Sequence, residues 1–290
     1  MAKTFVNADT GEAYRQLDGV ETMAATEASI STANIRAAEA KNLPSMHKLP
    51  GFNVFKNDEP IALIGGGPSI RETIDELRDF PVTIACGSAH DWAVQNGIKP
   101  TYCTLADPDP IMAAYVRNPC PETTYLVASQ CDEAVFEALR GQKIAVWHIL
   151  NESHADYIKE TGVNRYPGVG GGCTIGLRSI SIAMMLGYRN IHFFGFDSCL
   201  DVMDGAHHAY EYATDREETG DVYALKIGQG LPGDRTYRVS GYMLAQALHF
   251  KSFWTQYDGY FVPTFHGSGL LHDLWYTIKK ASEQPQEIAA

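Results

Sequence analysis

The sequence predicts an α/β fold, with a mostly parallel β-sheet that has helices on both faces. Two observations support this prediction. From Pro60 onward, short apolar runs rich in branched residues alternate with helical segments, which is typical of parallel sheets covered on both sides. The first apolar run leads into three consecutive glycines and then a helix start, which is the order found where such sheets bind ligands.

The apolar runs give the strands, and residues suited to helix starts give the helices between them. We expect strands at residues 61–64, 82–86, 102–106, 124–128, 143–148 and 190–195. Helices should begin near Ser69, Ser88, Asp132 and Thr174, because short polar side chains favour the N-cap position. Several of these helices should end at glycines, namely Gly97, Gly141 and Gly187.

After Asp197 the pattern changes. Residues 222–227 and 235–240 flank a glycine-rich segment, which predicts a β-hairpin inserted into the domain. A helix at about 241–257 and a last strand at 260–265 should follow. The predicted architecture is therefore a Rossmann-like sheet with an inserted hairpin.

The first 55 residues differ in composition from the rest. They are rich in Ala and Glu, show no strand pattern, and are interrupted by Leu-Pro pairs before the core begins. We predict a helical N-terminal arm over residues 1–55 and a Rossmann-like domain over residues 56–290. The arm packs either across the core or against another subunit, and in the second case it would support a homo-oligomer.

The net charge and the spacing of the cysteines disfavour several classes of protein. A formal net charge of −12 disfavours partners held through phosphate neutralisation, so we expect neither a nucleic acid nor a membrane surface as partner. No apolar run approaches the ~20 residues of a membrane helix, and the N-terminus lacks a signal-peptide core. The six cysteines have no C-x-x-C spacing, which indicates reduced thiols and a cytoplasmic location. Cys173 has no evident paired base, which disfavours a nucleophilic role.

The glycine turn after the first strand is the strongest ligand signal. Gly65, Gly66 and Gly67 allow close approach by a ligand, and Pro68 with Ser69 begins a helix whose free amides should point at an anion. An S-x-x-E capping box is expected from Ser69 to Glu72. The turn is neither a Walker motif nor a complete G-x-G-x-x-G. The alternative is a tight turn that binds nothing.

Two further strand ends carry polar residues. Ser88 follows the second strand, and Asp107 and Asp109 follow the third on either side of a proline. Mg²⁺ usually binds one or two carboxylates together with substrate oxygens, so Asp107 and Asp109 are the predicted metal ligands. In the alternative, Asp107 caps a turn and Asp109 is solvated, because Asp-Pro pairs favour turns.

A second glycine-rich approach to a helix runs through residues 168–176. Thr174 is the predicted N-cap there, and Gly171 and Gly172 precede it. Two such turns in one sheet indicate two phosphate or carboxylate contacts. The alternative is that these glycines serve only the close packing of helix on sheet.

Four residues are candidates for catalysis, namely Asp107, which is also a predicted metal ligand, and three residues near the sixth strand. Asp197 ends an apolar strand, so its carboxylate would be desolvated unless it met a hydroxyl, an amide or a cation. His207 and His208 offer imidazoles for acid–base work, although adjacent histidines do not form a zinc pattern. Either histidine could equally be an ordinary surface residue.

Four segments together resemble a known family. They are Ile-Gly-Gly-Gly-Pro-Ser-Ile (64–70), Ile-Ala-Cys-Gly-Ser-Ala (84–89), Asn-Gly-Ile-Lys-Pro-Thr-Tyr (96–102) and the strand with its flanks at 187–197. The chain resembles the MptE-like family over about residues 60–270. That family includes archaeal 6-hydroxymethylpterin diphosphokinases and motility-associated Maf glycosyltransferases, and it is distantly similar to bacterial sialyltransferases.

The resemblance implies a transferase that uses a nucleotide donor and a small-molecule acceptor. The donor would be ATP with Mg²⁺ for diphosphate or phosphoryl transfer to a hydroxymethyl group, or a CMP-sugar for glycosyl transfer. A non-catalytic, phage-type binding or assembly protein with the same fold is the third alternative. By the resemblance, the nucleotide would contact Gly65, Gly67, Pro68 and Ser69, the phosphates would lie at Asp107, and the site would be lined by Gly171, Gly172, Thr174 and Asp197.

Overall fold

The computed structural model describes residues 4–7, 13–15, 28–211, 222–227 and 235–283. Their fold is α/β and Rossmann-like. In chain order the described strands are β1 (Thr4–Asn7), β2 (Ala13–Arg15), β3 (Lys56–Ile64), β4 (Thr83–Cys86), β5 (Tyr102–Leu105), β6 (Thr124–Ala128), β7 (Lys143–Ile149), β8 (Gly168–Val169), β9 (Tyr188–Phe194), β10 (Tyr223–Ile227), β11 (Arg235–Val239) and β12 (Val262–His266).

Helices separate most of these strands. They are α1 (Ala28–Ala40), α2 (Ile70–Leu77), α3 (Ala89–Gln95), α4 (Glu133–Ala138), α5 (Glu152–Thr161), α6 (Ile175–Met185), α7 (Gly241–Tyr257) and α8 (Leu270–Glu283). Short 3₁₀ helices lie at Met46–Lys48 and Pro110–Val116. No helix within the described ranges is both long enough and apolar enough to cross a membrane.

The central sheet has eight strands in the order β12-β9-β3-β4-β5-β6-β7-β8, and its neighbours pair in parallel. Side chains of β3 alternate between two cores. Ile61 and Leu63 join the core that includes α6, whereas Ala62 and Ile64 join the core of α2 and α3. All four are fully buried, because both faces of the sheet are covered.

The predicted hairpin is present and belongs to a second, smaller sheet. β10 pairs with β11 in antiparallel fashion, and the order of this sheet is β11-β10-β1-β2. The glycine-rich connection that the sequence predicted between the two hairpin strands lies outside the described residues. β1 and β2 correct the expectation that the arm holds no strand. At four and three residues, they are too short for an alternation pattern to stand out.

The arm contains the expected helix, and that helix packs on its own chain. α1 contacts α4 and α5, and Ile35 and Ala38 are fully buried there. Asn34 Nδ2 donates a hydrogen bond to the Gln130 carbonyl over 3.0 Å, and Val146 N donates to Pro44 O over 2.8 Å. This part of the arm therefore packs across the core of its own chain. A homo-oligomer formed by the arm stays a prediction, as does the boundary near residue 55.

The predicted strands and helix starts of the core are present in the structure, with bounds that differ by a few residues in several cases. β6 and α7 match the predicted bounds, and Asp132 and Thr174 are N-caps whose side chains accept backbone hydrogen bonds. The short strand β8 and the helices α5 and α8 were not predicted.

Candidate active site

The carboxyl edge of the sheet brings together most of the predicted site residues. The chain runs from β3 outward to β8 and then returns through α6 to β9, on the other side of β3. In open α/β sheets, ligands bind in the crevice at this reversal of strand order. The loops after β3, β4, β5 and β9 end at this edge, and they carry Gly65–Ser69, Ser88, Asp107 and Asp197.

The first glycine turn is closed by the protein itself. Gly65 N donates to Phe194 O and Gly67 N to Gly195 O, each over 2.8 Å. Ser69 donates from its backbone N to Asp197 Oδ2 over 2.8 Å and from Oγ to Asp197 Oδ1 over 2.5 Å. The expectation of free amides is therefore wrong for Gly65, Gly67 and Ser69, and the anion at the start of α2 is the carboxylate of Asp197.

The same contact corrects the predicted capping box. The Ser69 side chain makes no cap hydrogen bond, since its hydroxyl is directed to Asp197. Glu72 thus has no N-cap side chain to reciprocate. The capping sequence is present, but a partner 128 residues away in the chain outcompetes the local one.

Asp197 is a buried carboxylate at this edge, and burial shifts its pKa. It is 6% exposed, and burial raises its pKa from 3.8 to about 6, although the two Ser69 hydrogen bonds oppose the shift. The prediction that it would need a hydroxyl or an amide is confirmed by those bonds. Its carboxylate acts as a fixed internal anion, and a catalytic role for Asp197 stays a prediction.

The segment from His207 to Tyr210 lies over the first turn. Ala209 N donates to Gly66 O over 2.8 Å, and a Cβ built on Gly66 would lie 2.7 Å from both His208 Cδ2 and Tyr210 Oη. Arg71 fixes the segment by donating to the carbonyls of Ala209 and His208. Gly66 is therefore in contact with protein side chains.

The surroundings of His207 and His208 affect how well each could act as a base. Burial lowers the pKa of His208 to about 3, so its imidazole is a weak base at neutral pH. The rings of His207 and His208 are 4.1 Å apart. Beside them, Tyr210 Oη and Ser88 Oγ are hydrogen-bonded at 2.7 Å, which joins the segment to the loop after β4.

Asp107 and Asp109 shape the turn after β5. Asp107 Oδ1 accepts from Asp109 N, and Asp109 Oδ1 accepts from Ile111 N, each over 3.0 Å. Asp109 is thereby the N-cap of the Pro110–Val116 helix, and Asp107 is exposed. The described residues contain no group of three or more His, Cys, Asp or Glu side chains arranged for a metal ion. The pair fits Mg²⁺ only if substrate oxygens supply further ligands.

The second glycine turn, Gly170–Thr174, packs against α6. Thr174 Oγ1 accepts from Leu177 N over 3.3 Å and from Gln246 Nε2 over 3.2 Å, which ties the turn to α7. A Cβ on Gly172 would lie 2.5 Å from Leu177, and Gly171 has φ of +109°. The two glycines thus let the loop fold back on α6, and a ligand contact at them stays a prediction. Burial raises the pKa of the Cys173 thiol, which disfavours a thiolate there.

A cavity of about 330 Å³ opens beside this second turn. Two of its lining residues, Gly171 and Gly172, were predicted from the sequence, and the rest were not. The others are Leu150, Arg178, His249, Ser252, Phe253, Gln256 and Tyr257. Arg178 could have been found, because it is the one charged residue in the sequence of α6.

The comparisons with known proteins agree with this fold. A family model described as 6-hydroxymethylpterin diphosphokinase MptE-like matches residues 37–202, more than half of the chain. The chain belongs to the MptE-like family. The match begins within α1, earlier than the predicted start near residue 60, and ends shortly after Asp197.

A solved structure of the Maf glycosyltransferase from Magnetospirillum magneticum AMB-1 has a similar fold. Its TM-score is 0.61 at 16% identity, over 86% of this chain and 38% of that one. The chain thus spans well under half of the Maf protein's length, and the likeness concerns the fold. No curated protein sequence matches the chain. Membership of the MptE-like family supports a transferase-type function.

Proposed function

We propose that this MptE-like protein is a nucleotide-dependent transferase that binds its donor at the carboxyl edge of the central sheet. The observation that carries the proposal is the meeting of the loops after β3, β4, β5 and β9 at the reversal of strand order, in a chain of this family. These loops present hydroxyl and carboxylate side chains at one edge. The closed turn at Gly65–Ser69 serves as the rigid floor of the site, with Asp197 holding it in place.

The favoured reaction is diphosphate or phosphoryl transfer from ATP to a small hydroxymethyl acceptor. The acceptor hydroxyl oxygen attacks a phosphorus atom of ATP, the bond from that phosphorus to its bridging oxygen breaks, and the hydroxyl proton passes to solvent or a nearby base. Asp107 and Asp109 would hold Mg²⁺, which neutralises phosphate charge when bound. The protein's contribution is mostly positioning, and the exposed Asp107 carboxylate is available for it.

Glycosyl transfer from a CMP-sugar is the second candidate, favoured by the fold similarity to a Maf glycosyltransferase. In this reaction the acceptor hydroxyl attacks the anomeric carbon, and CMP leaves. The low pKa of His208 makes it a poor base, which leaves His207 as the candidate to accept the acceptor's proton.

Calorimetry and turnover assays with ATP, CTP, CMP and CMP-sugars, each with and without Mg²⁺, test the proposal. We expect ATP to bind in a Mg²⁺-dependent manner, and Asp107→Asn to remove that dependence. Asp75→Asn is the matched control, since Asp75 is an exposed carboxylate on α2. Turnover of a CMP-sugar in chelator without turnover of ATP would establish the second candidate. If none of these nucleotides bound, the non-catalytic alternative would replace both.

A further inference from the structure

The cavity beside the second glycine turn has an unusual charge pattern. Its described lining residues include Arg178 and His249 and no acidic side chain, although the whole chain has 35 acidic and 23 basic residues. Ser252, Gln256 and Tyr257 add neutral hydrogen-bonding groups from one side of α7. The lining therefore offers hydrogen-bond donors and one permanent positive charge, that of Arg178.

Arg178 is half-buried without a carboxylate partner in the described part of the chain. Its Nη1 donates to the Val169 carbonyl over 3.2 Å, and burial lowers the pKa of the guanidinium. The remaining donors of a guanidinium form a planar fork that matches an oxyanion. Removing such a group from water without an anion is costly. A bound anion would offset that cost.

The backbone beside the cavity is closely packed, which suits a binding site. Gly171 and Gly172 pack directly on α6, and Phe253 is buried at the same wall. Gln246, one turn before His249 on α7, donates to Thr174 and so links the cavity to the start of α6. A volume of about 330 Å³ lies within the range of small-molecule sites.

We infer that this cavity binds a phosphate or diphosphate group, with Arg178 as its counter-charge. The assignment to the donor nucleotide rests on the proposed function, whereas the anion site itself stands on the cavity and its charges. The site also supplies what the first turn lacks, because the amides of Gly65, Gly67 and Ser69 there are already bonded to the protein.

Titration calorimetry with inorganic pyrophosphate and with ATP tests the inference. Arg178→Gln should weaken both ligands by roughly tenfold to a hundredfold, the usual value of a hydrogen bond to a charged group. Arg140→Gln is the charge-matched control, since Arg140 is a surface residue paired with Glu137. It should leave both affinities unchanged.

A second pair of variants keeps the test independent of any folding defect in Arg178→Gln. Gln256 is exposed and lines the cavity, so Gln256→Glu and Gln256→Lys should fold alike. Gln256→Glu should weaken pyrophosphate binding, and Gln256→Lys should strengthen it. Equal affinities in the two variants would overturn the inference.

The outcomes separate this inference from the proposed function. ATP binding that is insensitive to Arg178 and Gln256 would overturn the anion site and leave the transferase proposal standing. Pyrophosphate binding that depends on Arg178, without binding of any nucleotide, would support the anion site and overturn the donor assignment. Absence of binding by all probes would overturn both.

Discussion

The two glycine-rich turns of this protein look alike in sequence and differ in structure. Both follow a strand and precede a helix. At the first turn the amides of Gly65, Gly67 and Ser69 donate, in that order, to Phe194 at the end of β9, to Gly195 and to Asp197. At Gly170–Thr174 the loop lines a cavity that faces a cation, Arg178.

The difference shows what a glycine turn needs in order to bind an anion. Glycines permit close approach, but the approaching group can be another part of the same protein. The first turn is occupied by an internal carboxylate, and its glycines serve that contact. The second turn lies beside Arg178, which has no carboxylate partner among the described residues, and for this reason we infer an anion site there.

The largest expected effect on stability is that of Gly67→Ala, which tests whether the first turn is closed. A Cβ on Gly67 would lie 2.6 Å from Asp197 Cγ and 2.8 Å from Gly195 O. Because the backbone cannot easily retreat, Gly67→Ala should lower the free energy of unfolding by about 3 kcal/mol or more. Urea unfolding followed by circular dichroism measures it.

Gly66→Ala is the matched neighbour. There the nearest atoms to the new Cβ belong to the side chains of His208 and Tyr210, whereas at Gly67 they include a backbone oxygen. We expect Gly66→Ala to lower the free energy of unfolding by about 1 kcal/mol. Equal losses at the two positions would show that the turn is less tightly closed than the contacts of Gly67 indicate.

The next effect is the pH dependence that Asp197 confers. Its folded pKa of about 6 lies above the ordinary 3.8, so the folded state holds the proton more tightly than the unfolded state. This contribution to stability is fully present below the ordinary pKa and is lost as pH rises through the folded pKa. Between those values the protein should lose roughly 2 to 3 kcal/mol relative to Asp197→Asn, which does not titrate.

Unfolding free energies of both proteins at several pH values measure that loss. Parallel curves would mean that the carboxylate is better solvated than its 6% exposure implies.

The variant Asp197→Ala tests whether the first turn can bind an anion once its internal carboxylate is removed. It vacates the start of α2, so added phosphate should stabilise this variant more than the unaltered protein if the emptied turn then binds an external anion.

The two smallest effects concern a hydroxyl that bonds the segment over the first turn and a hydroxyl at the cavity. Ser88→Ala removes the hydrogen bond to Tyr210 and should cost about 1 kcal/mol. Ser252→Ala, on the exposed rim of the cavity, should cost less than about 0.5 kcal/mol. A double-mutant cycle of Ser88→Ala with Tyr210→Phe measures the coupling, and a value near zero would contradict the contact.

Local patterns were enough to predict most of the fold. β6 and α7 could be placed because apolar periodicity and N-cap residues lie within the element itself. β8 has two residues, and no periodicity can be detected over that length. α5 has a mostly polar sequence, so it lacks the apolar stripe that identifies a surface helix.

The site was harder to predict because its decisive contacts join distant parts of the chain. Whether the amide of Ser69 is free depends on Asp197, which is 128 residues further along. The role of Gly171 likewise depends on α7, which supplies Phe253 beside it. Arg178 is the exception, because a single charge within an apolar helix was visible in the sequence.

The packing of α1 has a practical consequence for dissecting this protein. Ile35, Ala38 and Met46 are fully buried against the rest of the chain, although they precede the first strand of the large sheet. A truncated version that starts at that strand would uncover apolar area on α4 and α5 and forfeit the bond from Asn34 to Gln130. The shortest fragment that folds on its own should therefore retain α1.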